Sequence, residues 1–373
     1  MSKIKVLQFP IGKSTGGVTH YVLENWRFID RSQFQFDFAT LLLPQEFEPM
    51  LINQGCKVHH LTFYAEQNME QFCDEFNIIL DEGYDAIHLH TEYWKNFICE
   101  EIAVKRGVPV IAVHAHNSRP NVLQVGTTYE QALEQHYKKR TDFCIELATH
   151  FLANSQTAAN FLYGPQIPEN RIQILNNAID LDRFAYNEQL RNKYRYDLGL
   201  NGKFVIGHIG RFAYQKNHEF LIDIFTRVSK KIANAILMLV GDGDLLEPTK
   251  EKVKELGLEK NVMFLGKRDD AAELYQAMDI FVLPSNFGGL DLVLVEAQTS
   301  GLMCLVSDVM PIECKITDNL TFLPLELNMW SNTIADLAIN GYTRKDSSEL
   351  IKKKGFSIKE QIKILERIYE GNL

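Results

Sequence analysis

Short apolar runs recur along the chain, each closed by glycine, proline or polar turn residues. In the first half they fall at 4–11, 34–42, 57–63, 86–89, 109–113 and 151–153. In the second half they fall at 204–209, 236–240, 262–265, 280–283 and 303–306. Helical spacing fills the gaps between them, as at 69–80, 93–105 and 129–149. Continuous apolar runs of this length read as strands buried on both faces. Strands alternating with helices build a parallel sheet covered on each side. The pattern occurs twice, which predicts an α/β protein of two Rossmann-like domains. Prolines and turn residues crowd 165–185 ahead of a short strand, and a charged segment follows at 187–203. The boundary is therefore placed near residue 180, giving a first domain of 1–180 and a second of 181–355. The last helix, 356–369, carries a stripe of Ile358, Ile362, Ile364, Leu365 and Ile368. Such a stripe has to be covered, and residues 356–373 are expected to pack back on the first domain.

Sheets of this kind bind ligands beyond the carboxyl ends of their strands. The stretch DIFVLPSNFGGLDLVLVEAQTSG at 279–301 is built for that place. Its strand is stopped by Pro284, Ser285 and Asn286. Gly288 and Gly289 then allow a turn, and a helix is expected from Leu290 to Gly301. Free N–H groups at Gly289 and Leu290, with the helix dipole, would attract an anion. Glu296 falls about two turns along, where a carboxylate suits a diol such as a ribose. The chain opens on a similar unit, strand 4–11, loop GKSTGG at 12–17, then a helix with Val18, Tyr21, Val22 and Trp26. This loop matches neither GxxxxGK[ST] nor GxGxxG. Gly16 and Gly17 either make a tight turn or let the backbone close on a phosphate or sugar. The segment GRFAYQKN at 210–217 leaves strand 204–209 with Arg211 and Lys216. A guanidinium fork beside an ammonium is a good clamp for a diphosphate.

Histidines stand at two further strand ends, His88 and His90 in AIHLH, His114 and His116 in IAVHAHNS. His114 and His116 share one side of their strand at period two. His116 lies nearer the mouth and is the better candidate for a ligand contact. No Asp, Glu or Cys accompanies the four at ligand spacing, so a metal site is not expected. Asp242-Gly243-Asp244 has the form of a metal-binding DxD string but sits where a tight strand-to-helix turn wants Asp and Gly. Lys138, Lys139 and Arg140 on the helix 129–149 are either a solvated face or a basic patch for anionic lipid headgroups.

Composition narrows the class further. The chain has 373 residues, 46% of them hydrophobic and 23% charged, as in ordinary globular proteins of about two domains. A net charge of −9 argues against a nucleic-acid partner. The opening residues read as a strand rather than a leader, and no apolar run approaches the roughly 20 residues of a membrane span. Six cysteines lie scattered without a CxxC pair, which reads as free thiols in a reducing cytosol.

Several segments occur in a recognisable order. They are Gly16-Gly17-Val18, HAHNS at 114–118, ANS at 153–155, NNAID at 176–180, GRFAYQKN at 210–217, VGDGDL at 240–245 and PSNFGGLDLVLVEAQTSGL at 284–302. Together they resemble the retaining glycosyltransferases of family 4, of the type found in bacterial capsule, exopolysaccharide and O-antigen synthesis. The resemblance covers nearly the whole chain. It implies a GT-B fold, two Rossmann-like domains facing across a cleft. It implies a nucleotide-diphosphate sugar held by Arg211, Lys216, Gly289, Leu290 and Glu296. Gly16, Gly17, His114, His116 and Asn177 would complete the site, and the acceptor is expected to be a saccharide, lipid-linked in enzymes of this type. Metal and other cofactors are not implied, because the cationic clamp takes the leaving group's charge. The expected location is cytoplasmic, with peripheral contact at the inner face of the plasma membrane.

One departure matters. The family pattern is Glu-x7-Glu with FEGLP around the first glutamate, which contacts the transferred sugar. Here that position is Gly288, and the proline position is Asp291. Three readings stay open: an inactivated variant, a different donor sugar, or partial replacement by Asp291. A catalytically silent sugar-nucleotide-binding or scaffolding protein is the alternative to an enzyme. A GT-B-shaped epimerase is a third, less favoured because of the Arg211/Lys216 loop and NNAID.

Overall fold

The computed structural model describes residues 2–13, 16–120 and 128–372. The chain divides into two compact units, Met1–Ala178 with Ile358–Leu373, and Ile179–Ser357.

The first unit holds a seven-stranded sheet of β1 (Ile4–Ile11), β2 (Phe34–Thr40), β3 (Val58–His60), β4 (Ala86–Thr91), β5 (Val110–Ala115), β6 (His150–Ala153) and β7 (Ile172–Ile174). All neighbours pair in parallel, in the order β3-β2-β1-β4-β5-β6-β7. Alternation divides each strand between two cores. Leu7, Phe9, Ile87, Leu89, Ile111 and Val113 enter one. Val6, Phe36, Ala86, Ala112 and Leu152 enter the other, where they meet the helix Gly17–Phe28 and the C-terminal helix Ile358–Tyr369. Ile362, Leu365, Ile368 and Tyr369 are the buried face of that last helix. Asp30 donates its backbone N–H to Glu366 at 3.0 Å, and Gln361 donates to the carbonyl of Asn176.

The second unit holds a six-stranded sheet of β8 (Phe204–Ile209), β9 (Ala235–Val240), β10 (Val262–Phe264), β11 (Ile280–Leu283), β12 (Met303–Ser307) and β13 (Leu320–Leu323). It is also wholly parallel, in the order β10-β9-β8-β11-β12-β13. The helix Glu188–Asp197 is tied to this sheet by a charged knot. Asp279 accepts from Arg191 at 2.5 Å, Arg195 at 3.1 Å and the Val205 N–H at 2.7 Å.

Some elements differ from their sequence pattern. The helix expected to reach 149 ends at Asp142, because Phe143 turns to extended backbone and buries its ring under β6. The helix after the Gly288 turn begins at Leu292, two residues later than expected, with Asp291 as its N-cap. Gly289 and Leu290 therefore lie in the turn before the helix rather than at its first N–H groups. β13 escaped the pattern because Thr321, at its middle, is exposed and Pro324 follows at once. Among the described residues no helix is long and apolar enough to cross a membrane.

Candidate functional site

In each unit the strand order reverses direction at one point, between β1 and β4 in the first and between β8 and β11 in the second. Crevices open beyond the carboxyl ends of the strands at such points. The glycine loops of the sequence sit there. Loop 12–17 follows β1, GRFAYQKN follows β8, and PSNFGGLD follows β11.

The second unit builds its loops by close backbone approach. A Cβ at Gly241 would lie 2.0 Å from the carbonyl oxygen of Gly210, and Gly241 has φ +137. A Cβ at Gly243 would lie 2.6 Å from the carbonyl oxygen of Phe212. Phe212 donates to Asp242 at 2.9 Å and accepts from Leu245 at 3.0 Å. Gly243 also receives its own turn's bond, its N–H donating to Asp242 Oδ1 at 2.8 Å. The VGDGDL segment is thus a buttress under the Arg211 loop, and Asp242 caps its turn.

Arg211 is exposed, whereas Lys216 is buried. Lys216 sits before Asn217, whose φ of 55 is left-handed and lets the chain enter the helix His218–Lys231 abruptly. The Lys216 ammonium donates to Asp291 Oδ2 at 2.5 Å. Sequence reasoning named both residues but as separate ligand groups; they form an ion pair. Asn286 braces the same loop, donating to the carbonyl of Tyr214 at 2.7 Å. Below it lie two buried histidines that sequence reasoning missed. His208 donates Nδ1–H to the Val282 carbonyl at 2.8 Å, and His218 stacks on Phe212. Burial holds His208 near a pKa of about 4 and His218 near about 2, so both are neutral beneath the cationic loop.

Gly288 has no left-handed backbone and a partly filled surround. An added Cβ would meet the Met310 methyl at 2.7 Å, Met310 Sδ at 2.8 Å and Asp291 Oδ2 at 3.6 Å. Asp291 thus places its carboxylate where a side chain at 288 would begin. Gly289 and Gly17 are different, for a Cβ at either meets nothing within 4 Å among the described residues, and neither has a positive φ. Glu296 is half-buried and accepts from Tyr275 at 2.8 Å. Burial, and then the Glu296 charge, push the Tyr275 phenol up, so it remains a donor.

In the first unit, Gly16 is the N-cap of the helix Gly17–Phe28 and closes the turn by donating to the Lys13 carbonyl at 2.8 Å. Ser14 and Thr15 of this loop lie outside the described residues. His116 follows β5, and all four histidines are buried on the same side of the sheet. Ligand atoms of His88, His90 and His114 lie within 4.8 Å of one another. Each of these rings, however, hydrogen-bonds to a neighbour, and among the described residues no carboxylate or thiolate joins the group to balance a buried divalent charge. Burial lowers His88 and His116 to about 3 and carries His90 and His114 well below their usual value. Asn177, two residues before the second unit, keeps a buried Oδ1 without a hydrogen-bond partner among the described residues. Arg140 is drawn out of the basic patch. It donates to the Phe161 carbonyl at 3.1 Å and packs over Gly164, leaving Lys138 exposed and Lys139 half-exposed.

Two parallel, doubly wound sheets with glycine loops at their switch points define a two-domain α/β protein of the ligand-binding, Rossmann-like class. The family models agree. Residues 15–183 match Glycosyltransferase Family 4, and residues 191–346 match Glycosyl transferases group 1. The Bacillus subtilis protein named as glycosyltransferase EpsF is 31% identical over 99% of this chain and 97% of its own length. This chain belongs to the family 4 glycosyltransferases. The Escherichia coli UDP-Gal:alpha-D-GlcNAc-diphosphoundecaprenol alpha-1,3-galactosyltransferase is 24% identical, over 88% of this chain and 85% of its own. Among solved structures, Anabaena HepE in complex with UDP superposes with a TM-score of 0.74 at 19% identity, covering 99% of this chain and 100% of that one. WaaG, a glycosyltransferase involved in lipopolysaccharide biosynthesis, superposes at 0.69 with 16% identity, covering 99% and 100%. The fold is GT-B.

Proposed function

We propose that this glycosyltransferase moves a sugar from a nucleotide-diphosphate donor to a saccharide acceptor in surface polysaccharide synthesis, with retention at the anomeric carbon. The observation that carries this reading is the loop with Arg211 and Lys216 at the switch point of the second unit, where Lys216 is ion-paired to Asp291 of the turn at 288–291. Two cations at strand ends stabilise a departing diphosphate without a metal. Glu296 takes the ribose, its carboxylate oriented by Tyr275. The open surroundings of Gly17 and Gly289 leave room for a bound group to reach the backbone. His114, His116, Gly16 and Asn177 belong to the same reading as ligand contacts or their supports. A lipid-linked acceptor fits the galactosyltransferase relative, whose name specifies a diphosphoundecaprenol-linked sugar. The protein then works in the cytoplasm, at the inner face of the plasma membrane.

Gly288 favours a second reading, a silent sugar-nucleotide-binding or scaffolding protein, because glycine supplies no carboxylate to the sugar. A donor panel separates the two. Uridine, guanosine and adenosine diphosphate sugars are screened by thermal shift, since a ligand that binds only the folded state raises the melting temperature. Released nucleotide is then measured with a diphosphoundecaprenol-linked saccharide, with and without EDTA. Acceptor-dependent release that survives EDTA is expected. Stabilisation by a donor with no release would support the silent binder, and loss on chelation restored by manganese would overturn the metal-free clamp.

A further inference from the structure

Buried polar groups in the first unit form one continuous hydrogen-bonded chain that starts on the C-terminal helix. Tyr369 Oη accepts from Gln8 Nε2 at 3.2 Å and lies 2.7 Å from His88 Nδ1. His88 Nε2 lies 3.1 Å from His114 Nδ1. Gln8 Oε1 lies 2.9 Å from His90 Nε2, and His90 Nδ1 lies 2.9 Å from His116 Nε2. Every member is buried, with Gln8 and Tyr369 each 2% exposed and His116 7%. Burial keeps all four rings neutral, so each carries a single ring proton.

One orientation of the Gln8 amide then determines every ring. The amide oxygen can only accept, so His90 carries its proton on Nε2 and offers Nδ1 as acceptor. His116 must therefore carry its proton on Nε2, which leaves Nδ1 as a lone pair. The Gln8 amide nitrogen can only donate, so the Tyr369 hydroxyl gives its own proton to His88 Nδ1. His88 then carries its proton on Nε2 and donates to His114 Nδ1. The chain ends at His114 Nε2–H, which has no hydrogen-bond partner among the described residues. Both branches run from one amide and one phenol.

We propose that Tyr369 and Gln8 are positioning residues that set the tautomers of the histidine pairs, so that His116 presents an unprotonated Nδ1 as hydrogen-bond acceptor to the sugar substrate. The role for His116 rests on the function proposed above; the relay itself rests on the hydrogen-bond geometry and the buried, neutral rings. It also gives the C-terminal helix a chemical task beyond covering the sheet. That helix brings a residue 281 positions away to His88.

The test uses the full-length protein labelled with nitrogen-15 at histidine. Long-range nitrogen–proton spectra of the wild type should show all four rings protonated at Nε2 only. Tyr369→Phe keeps the ring that packs on Phe36 but removes the hydroxyl that accepts from Gln8 Nε2 and donates to His88 Nδ1, so both lose their partner and the Gln8 amide is released to turn. Mixed tautomers at His90 and His116 are expected, with kcat down severalfold and the donor KM unchanged. A wild-type His116 protonated at Nδ1, or unchanged tautomers in Tyr369→Phe, would overturn the relay. So would a cobalt(II) titration that gives a tetrahedral absorption band and ring-nitrogen shifts at His88, His90 and His114, because the cluster would then be a metal site. His116→Ala separates the two ideas. Undiminished turnover there, with the tautomers as assigned, would count against the role of His116 in the site and leave the relay intact.

Discussion

At position 288 the chain lacks a side chain where the backbone would accept one. Gly288 is not left-handed, and the atoms that an added Cβ would crowd are the far end of Met310. Gly288→Glu should therefore fold. A carboxylate that accepts hydrogen bonds from sugar hydroxyls is worth about 1.5–3 kcal/mol, and kcat should rise at least about tenfold if those bonds tighten in the transition state. Nucleotide affinity should change little. A folded variant no faster than the parent, with true donor and acceptor, would contradict this and direct attention to Asp291→Ala. The placement of the candidate residues was legible singly, since Arg211, Lys216, Asp291 and Glu296 all stand just beyond strand ends or in the following helix. Their partnerships were not. Lys216 and Asp291 meet across 75 positions, and Glu296 finds Tyr275 on a different helix. Only three-dimensional packing makes such pairs.

Elements with unbroken apolar runs were read closely, because burial on both faces leaves no polar gap in the pattern. β1, β8 and β11 have the bounds their runs predict. The helix after residue 129 was overextended because a basic, polar surface helix has little apolar period to show where it stops. The knot at Asp279 could not be read at all, since an Asp before a strand is an ordinary turn residue. It nonetheless holds the helix Glu188–Asp197 to β8 and β11. Asp279→Ala would remove the counter-charge of two partly buried guanidinium groups that keep their backbone carbonyl partners, and should cost about 1.5–3 kcal/mol, the range for a hydrogen bond to a charged group. Urea unfolding of the second unit's transition checks this, and a loss under about 1 kcal/mol would show that the knot is dispensable.

At the scale of the whole molecule, both units bury neutral histidines. His88, His90, His114 and His116 lie in one, His208 and His218 in the other. All have folded-state pKa values below the ordinary value, so the unfolded chain takes up more protons as pH falls. Stability is therefore full above about pH 6.5 and declines as pH drops toward the folded values, about 3 for His88 and His116 and about 4 for His208. Each histidine adds up to about 1.4 kcal/mol per pH unit in that window. Melting temperatures should fall steeply between pH 6.5 and 5, and a flat profile would show that these rings are charged in the fold. The central claim, that the Arg211 and Lys216 loop is the diphosphate clamp, is tested most directly by calorimetric titration of uridine diphosphate into the wild type, Arg211→Ala and Lys216→Ala. Each loss of a charged hydrogen bond should weaken binding by about 1.5–3 kcal/mol while circular dichroism stays unchanged. Affinity equal to that of the wild type in both variants would contradict the account.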